Sequence, residues 1–223
     1  QNFLNAMGAR VSGAGSSMIT VEGVERLHGV TYTPIPDRII AGTYMIATAM
    51  CGGNVTLDGV VPEHLSSLIA KMSKTACKVI CKNDKISVRS KGRLKSLERI
   101  DTMYYPGFPT DLQTQIMALQ TISRGTSVSA ENIFETRFKT VPQLTKMGAD
   151  ITVRDRPAVV RGVPGLHGAE VHATDLRGGA SLVLAGLAAE GRTEVKDIYH
   201  IDRGYEDMAP VLSGLGANIT RVV

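Results

Sequence analysis

Asp111, Arg137, Asp175, Arg177 and Arg203 stand in four short runs of a 223-residue chain: FPTDLQTQ (108–115), FETRF (134–138), ATDLRGGASL (173–182) and HIDRGYE (200–206). Carboxylates and arginines beside turns and helix starts suit one kind of chemistry. A carboxylate can take a proton from a hydroxyl as general base, and guanidinium forks can hold phosphate or carboxylate oxygens and the charge that develops on them. Each residue also has a plain structural account. Asp111 falls at or near a helix N-cap, where a carboxylate accepts from free backbone amides. Arg203 lies where HIDRGYE ends a strand and enters a turn, beside Asp202 and Gly204, and can pair with its neighbour on the surface. Arg137 and Arg177 have Glu135 and Asp175 at hand as ion-pair partners. Ile133 in ENIF, just ahead of an aromatic, reads as a core strand residue. On residue types alone these accounts suffice.

The elements that must position these residues repeat along the chain. A helix-to-strand signature occurs as NAMGARV (5–11), KTACKVI (74–80), TKMGADI (145–151) and SGLGANI (213–219), with Gly8, Ala76, Gly148 and Gly216 spaced by 68, 72 and 68 residues. In each, an amphipathic helix ends, a left-handed cap follows, and alternating residues begin a strand. A period this constant and longer than that of solenoid repeats predicts one supersecondary unit used several times. Each interval opens on an acidic helix start: Asp37 before IIAGTYMIATAM, Asp111 before LQTQIMALQTI, and Asp175 before LRGGASLVLAGLAAE. These helices read as apolar nearly all round, so they are expected inside with sheets wrapped outside them. Glycines at 53, 125 and 191 then precede short β-branched runs, and a second, more amphipathic helix (62–72, 141–147) leads back to the signature. Gly178 and Gly179 lack the GK[ST] ending of a phosphate loop and read as close helix packing. Pro210 in DMAPVL is compatible with a helix if it falls in the first turn.

Together with IPDRI (35–39), the four runs lie in the order and register of the enolpyruvyl transferases, which the chain resembles over essentially its whole length. HIDRGYE and ATDLR are similar to the branch that acts on UDP-N-acetylglucosamine rather than to the shikimate 3-phosphate branch. The resemblance implies an α/β fold, the inside-out α/β barrel, with three repeated units of buried helices and outer sheets. It implies transfer of the enolpyruvyl group of phosphoenolpyruvate to the 3'-hydroxyl of UDP-N-acetylglucosamine with release of phosphate, the first committed step of peptidoglycan precursor synthesis. Asp111 would contact that hydroxyl and help remove its proton, and Arg203 would hold phosphoenolpyruvate oxygens. Arg137, Arg177 and Asp175 would complete a charged cluster around the substrates, and Ile133 would touch the sugar nucleotide through backbone as much as side chain. Arg38 in IPDRI matches too, with a hinge or substrate role and an interdomain ion pair both open. Thr136, Lys139 and Thr140 depart from the commonest FENRFMHV form but leave the charged positions intact. Residues 1–35 are expected to be the tail of a preceding, truncated domain and 36–223 one complete domain, the carboxy-terminal half of a longer enzyme and inactive without its amino-terminal half. A non-catalytic binding module built on the same fold is the alternative of a different class.

Composition sets broader bounds. The 25 basic and 21 acidic residues are scattered, and aromatics make up only 4% of the chain, so a nucleic-acid track is disfavoured and a small anionic substrate suits the modest basic excess. No apolar stretch is long enough to span a membrane and QNFLNAMGAR lacks signal-peptide architecture, which leads to a cytoplasmic expectation. Cys51, Cys77 and Cys81 suggest neither a disulfide framework nor a metal site, and the five histidines include no pair at i, i+4. No cofactor is expected.

Overall fold

A computed structural model describes residues 1–222, and the chain divides into two units with the boundary between Pro36 and Asp37. In the first, helix α1 (Asn2–Ala6) runs through Gly8, in the left-handed region at φ 94°, into strand β1 (Arg10–Ser12), which pairs antiparallel with β2 (Thr20–Glu22). Asn5 closes that signature locally: its side chain accepts from the Val11 amide and donates to the Val11 carbonyl, both at 2.8 Å.

The second unit carries the repeats. The first comprises helix α2 (Arg38–Cys51), β3 (Gly53–Leu57), α3 (Ser66–Met72), β4 (Lys78–Lys82) and β5 (Lys85–Ser90), with the strands in the antiparallel order β3-β5-β4. The next comprises β6 (Arg99–Asp101), α4 (Gln113–Ile122), β7 (Thr126–Ala130), α5 (Val141–Lys146), β8 (Asp150–Val153) and β9 (Pro157–Arg161), in the order β6-β7-β9-β8. Along β5, Ile86, Val88 and Ser90 face inward while Lys85 and Arg89 face out, the alternation that one buried sheet face demands.

The last repeat departs from this pattern. It holds β10 (Leu166–His167), β11 (Glu170–His172), α6 (Leu176–Ala188), β12 (Ala189–Glu190), β13 (Glu194–Lys196), α7 (Tyr199–Asp202) and α8 (Met208–Gly214). Its strands form two parallel pairs, β10-β12 and β11-β13, and no strand follows Gly216 among the described residues, although SGLGANI carries the helix-to-strand signature. HIDRGYE is likewise not a strand end: Tyr199–Asp202 is a short helix and the turn follows it. Pro210 falls third in α8, within the first turn, where its missing N–H costs no helical bond.

Helices α2, α4 and α6 pack against one another inside, with the sheets outside: an inside-out α/β barrel, the fold that the family resemblance implies. Met45, Ile46, Ile116, Leu119, Ala180 and Leu184 are among the residues that make the helical core. Small residues let the elements approach closely. A side chain at Gly178 would lie 2.2 Å from the Thr140 hydroxyl, and one at Gly179 would lie 2.6 Å from Ile201, so the glycine pair serves packing. Helix α4 corrects one expectation, because it is buried all round without being apolar all round: Gln113, Thr114, Gln115, Gln120 and Thr121 are buried in it.

The three helices run the same way. Near their N-terminal ends, Thr43 of α2, Gln115 of α4 and the backbone of Arg177 in α6 are linked by hydrogen bonds. At the other pole Met50, Ile122 and Ala188, from their C-terminal ends, line one cavity. The N-terminal pole therefore gathers three partial positive charges, each roughly half an elementary charge.

Candidate active site

Asp111 lies at this N-terminal pole in a tight turn, Thr110–Leu112, that precedes α4. It does not cap the helix. The N-cap position falls on Leu112, and no side chain satisfies the free amides there. The turn spans Thr110–Leu112, so α4 begins two residues after Asp111 and the carboxylate accepts from none of its amides. Oδ1 accepts from Arg137 Nη2 at 3.0 Å and Oδ2 from Arg177 Nη2 at 3.3 Å. The acid thus bridges arginines from two other segments. Asp37 and Asp175, the matching helix starts, do cap: Asp37 Oδ1 accepts from the amides of Ile39 and Ile40, and Asp175 Oδ1 from those of Arg177 and Gly178.

Arg137 is nearly enclosed, with 6% of its side chain exposed against 40% for Asp111. A buried guanidinium must be paired and hydrogen-bonded to be tolerated. Asp111 supplies one pairing, Asp175 Oδ1 a second at 3.8 Å, and Thr110 Oγ1 accepts from both Nε and Nη2 at 3.3 Å. The Phe134 ring covers the guanidinium at 4.5 Å, in cation–π range. Glu135, the other expected partner, is exposed and pairs with no cation among the described residues. Arg177 is held by its place in the first turn of α6, by Asp111, and by Tyr205, whose hydroxyl lies 3.5 Å from Nη1. That hydroxyl is fixed in turn by Thr43 Oγ1 at 2.8 Å and Gln115 Nε2 at 3.4 Å.

The remaining residues are placed as follows. Ile133 is not in a strand, since β7 ends at Ala130; it lies half-buried in the loop that leads to Arg137, and its amide donates to Glu131 Oε1 at 2.9 Å. Arg38 is the first residue of α2, with its guanidinium over the Tyr105 ring at 5.7 Å. Arg203 ends α7, exposed, two residues before the Tyr205 that touches Arg177. It does not pair with Asp202, which is engaged by Arg221 at 2.7 and 2.8 Å. Among the described residues Arg203 makes no ion pair. The structure therefore joins Asp111, Arg137, Asp175 and Arg177 in one network.

Several members of this network were not singled out in the sequence. Thr43, Gln115 and Tyr205 form a buried polar knot behind Arg177, and Thr110 and Glu131 stand behind Arg137. The signal for Gln115 was the cluster Gln113-Thr114-Gln115 opening a helix destined for burial, since buried polar groups need partners. Glu131 left little signal, because its partners come from loops far apart in sequence.

The sequence model of the family described as EPSP synthase (3-phosphoshikimate 1-carboxyvinyltransferase) matches residues 1–212. The chain belongs to the EPSP synthase family. Among relatives, the UDP-N-acetylglucosamine 1-carboxyvinyltransferase of Desulfofundulus thermocisternus is 52% identical over 221 residues, 99% of this chain and 90% of that protein. UDP-N-acetylglucosamine 1-carboxyvinyltransferase 2 of Caldanaerobacter subterraneus subsp. tengcongensis is 51% identical over 223 residues, all of this chain and 54% of that protein. Of solved EPSP synthase-type folds, the enolpyruvyl transferase NikO from Streptomyces tendae matches with TM-score 0.88 at 28% identity, over 99% of this chain and 53% of its own. EPSP synthase from Acinetobacter baumannii shares the fold with TM-score 0.78 at 18% identity, over 99% of this chain and 54% of that one. The chain thus spans about half the length of the Caldanaerobacter relative and of both solved structures.

Proposed function

We propose that this chain supplies one half of the active site of an enzyme that transfers the enolpyruvyl group of phosphoenolpyruvate to the 3'-hydroxyl of UDP-N-acetylglucosamine. The observation that carries the reading is the Asp111 carboxylate held between Arg137 and Arg177, each from a different segment. Residues distant in sequence converge there on one partly open carboxylate, an arrangement that chain proximity alone does not require. The identity of about half to proteins named for UDP-N-acetylglucosamine favours that acceptor over shikimate 3-phosphate, whose synthase matches at 18%.

In this mechanism Asp111 accepts the proton of the sugar hydroxyl as its oxygen bonds to C2 of phosphoenolpyruvate while a donor from the rest of the enzyme protonates the methylene carbon. In the elimination that follows, that carbon gives up a proton as the bond from C2 to phosphate breaks. Arg137 and Arg177 orient the carboxylate and, with the three helix N-termini, make the pole favourable for anions. Arg203, exposed at the end of α7, presents a planar fork suited to phosphate or carboxylate oxygens. Ile133 contributes the surface of its anchored loop to the sugar nucleotide, and Arg38 extends the cationic rim from α2. Residues 36–223 act on this reading as one catalytic domain, 1–35 belong with the remainder of a longer enzyme, and the product enters peptidoglycan precursor synthesis in the cytoplasm. No helix among the described residues is long and apolar enough to cross a membrane. The test is phosphate release by the full-length enzyme with UDP-N-acetylglucosamine against shikimate 3-phosphate as acceptor. Preference for shikimate 3-phosphate overturns the choice of branch, and release with neither overturns the reaction.

A further inference from the structure

Glu131 is 5% exposed, and its carboxylate accepts four hydrogen bonds. Oε1 takes three: from Thr102 Oγ1 at 2.8 Å, from the Ile133 amide at 2.9 Å and from the Phe134 amide at 2.8 Å. Oε2 takes one, from Thr110 Oγ1 at 3.0 Å. The first three fix the loop that presents Ile133 and the Phe134 ring. The fourth sets the direction of a hydroxyl. Because Thr110 gives its only proton to Glu131, its lone pairs face Arg137, which donates to them through Nε and Nη2. Arg137 then has Nη2 at Asp111 as well.

We infer that Glu131 is a positioning residue: through the polarity of the Thr110 hydroxyl it holds Arg137, and so the Asp111 carboxylate, in the orientation the sugar hydroxyl meets. The inference rests on the function proposed above. It distinguishes two roles within one side chain, because Oε1 serves the loop and Oε2 serves the arginine.

Glu131→Gln separates them. The amide oxygen can keep the three bonds of Oε1, but an amide nitrogen in place of Oε2 donates to Thr110. The Thr110 proton is then displaced toward Arg137, whose Nε–H loses its acceptor while Nη2 keeps only Asp111. Thr110→Val removes the same link without touching the loop. In the full-length enzyme both substitutions are expected to raise KM for UDP-N-acetylglucosamine and lower kcat, with kcat/KM falling about ten- to hundredfold, while the melting temperature stays within a few degrees of wild type. The double variant should be no worse than the more affected single one, since both break one relay. Thr110→Ser, which keeps the hydroxyl, should retain near wild-type kinetics. The second readout needs no activity: the Arg137 Nε–H signal in a nitrogen–proton correlation spectrum should be protected from exchange in wild type and Thr110→Ser and lost in Glu131→Gln and Thr110→Val. Additive losses in the double variant, or a protected Arg137 signal in Glu131→Gln, overturn the relay. Loss of protection in an enzyme that releases phosphate with neither acceptor upholds the relay and sinks the proposed reaction instead.

Discussion

Asp111 is a base in the proposed reaction and an ion-pair partner in the structure, and Asp111→Asn separates the two. The amide oxygen still accepts from Arg137, and Arg137 keeps Asp175 and Thr110, so the structural cost should be only about 1 kcal/mol. Turnover should fall by roughly two to four orders of magnitude, since an amide takes no proton. Phosphate release and denaturant titration of the full-length enzyme measure the two effects, and wild-type turnover in the variant removes Asp111 as the base. The cysteines make a separate prediction. Burial pushes the Cys77 thiol from 9.0 up to about 11 and also raises Cys51, while Cys81 is raised by burial and then by the nearby Glu63. Only thiolate reacts, so at pH 8 a haloacetamide should label exposed Cys81 first and buried Cys77 last, as peptide mass mapping would show. Between about 9 and about 11 an unfolded chain releases a Cys77 proton that the folded one retains, so this thiol lowers stability as pH rises through that window.

At the scale of the element, the helix starts are the most informative parts. Asp37 accepts from two amides of α2, and its replacement by alanine should cost about 1 kcal/mol, read as a shifted denaturation midpoint at unchanged slope. An unchanged midpoint would show that the cap contributes nothing net. The helix starts at Asp37 and Asp175, the left-handed glycines and the buried helices α2 and α6 were legible in the sequence because each has a local cause: a capping side chain, a backbone only glycine adopts readily, an apolar run. Ala76, at φ 75°, shows how firm that backbone demand is, since it holds the left-handed position of the signature without being glycine. What was not legible depended on contacts between segments. HIDRGYE read as the end of a strand entering a turn, yet Ile201 and Tyr205 are buried together against the inner helices, which a short helix allows. Asp111 looked like a cap because its spacing from the apolar run is a cap's spacing; the turn at Thr110–Leu112 and the two arginines decided otherwise. Glu131 could not be read at all without knowing that Thr102 and Thr110 come to meet it.

For the molecule as a whole, the relatives' length bears on activity. The proposed reaction needs a proton donor to the methylene carbon opposite the Asp111 base, and a water-excluding partner surface over the open side of the pole. The 223-residue chain by itself should therefore release no phosphate from phosphoenolpyruvate and UDP-N-acetylglucosamine, and adding the rest of a full-length enzyme should restore release. Transfer by the isolated chain at the full-length rate would show that the pole works uncovered. The charged site meets the core at one pole, where Thr43, Gln115 and the core residue Tyr205 are buried behind Arg177.

Three equivalent helix starts carry an aspartate, and only two of them use it to build the helix. A fold assembled from copies of one part holds the same side chain in several places while depending on it structurally in fewer. The copy at Asp111 is the one whose helix begins two residues later and manages without a side-chain cap. Duplication of this kind offers a route to the proposed base that requires no new residue: a tightened turn leaves an existing carboxylate free of its amides and paired with two arginines.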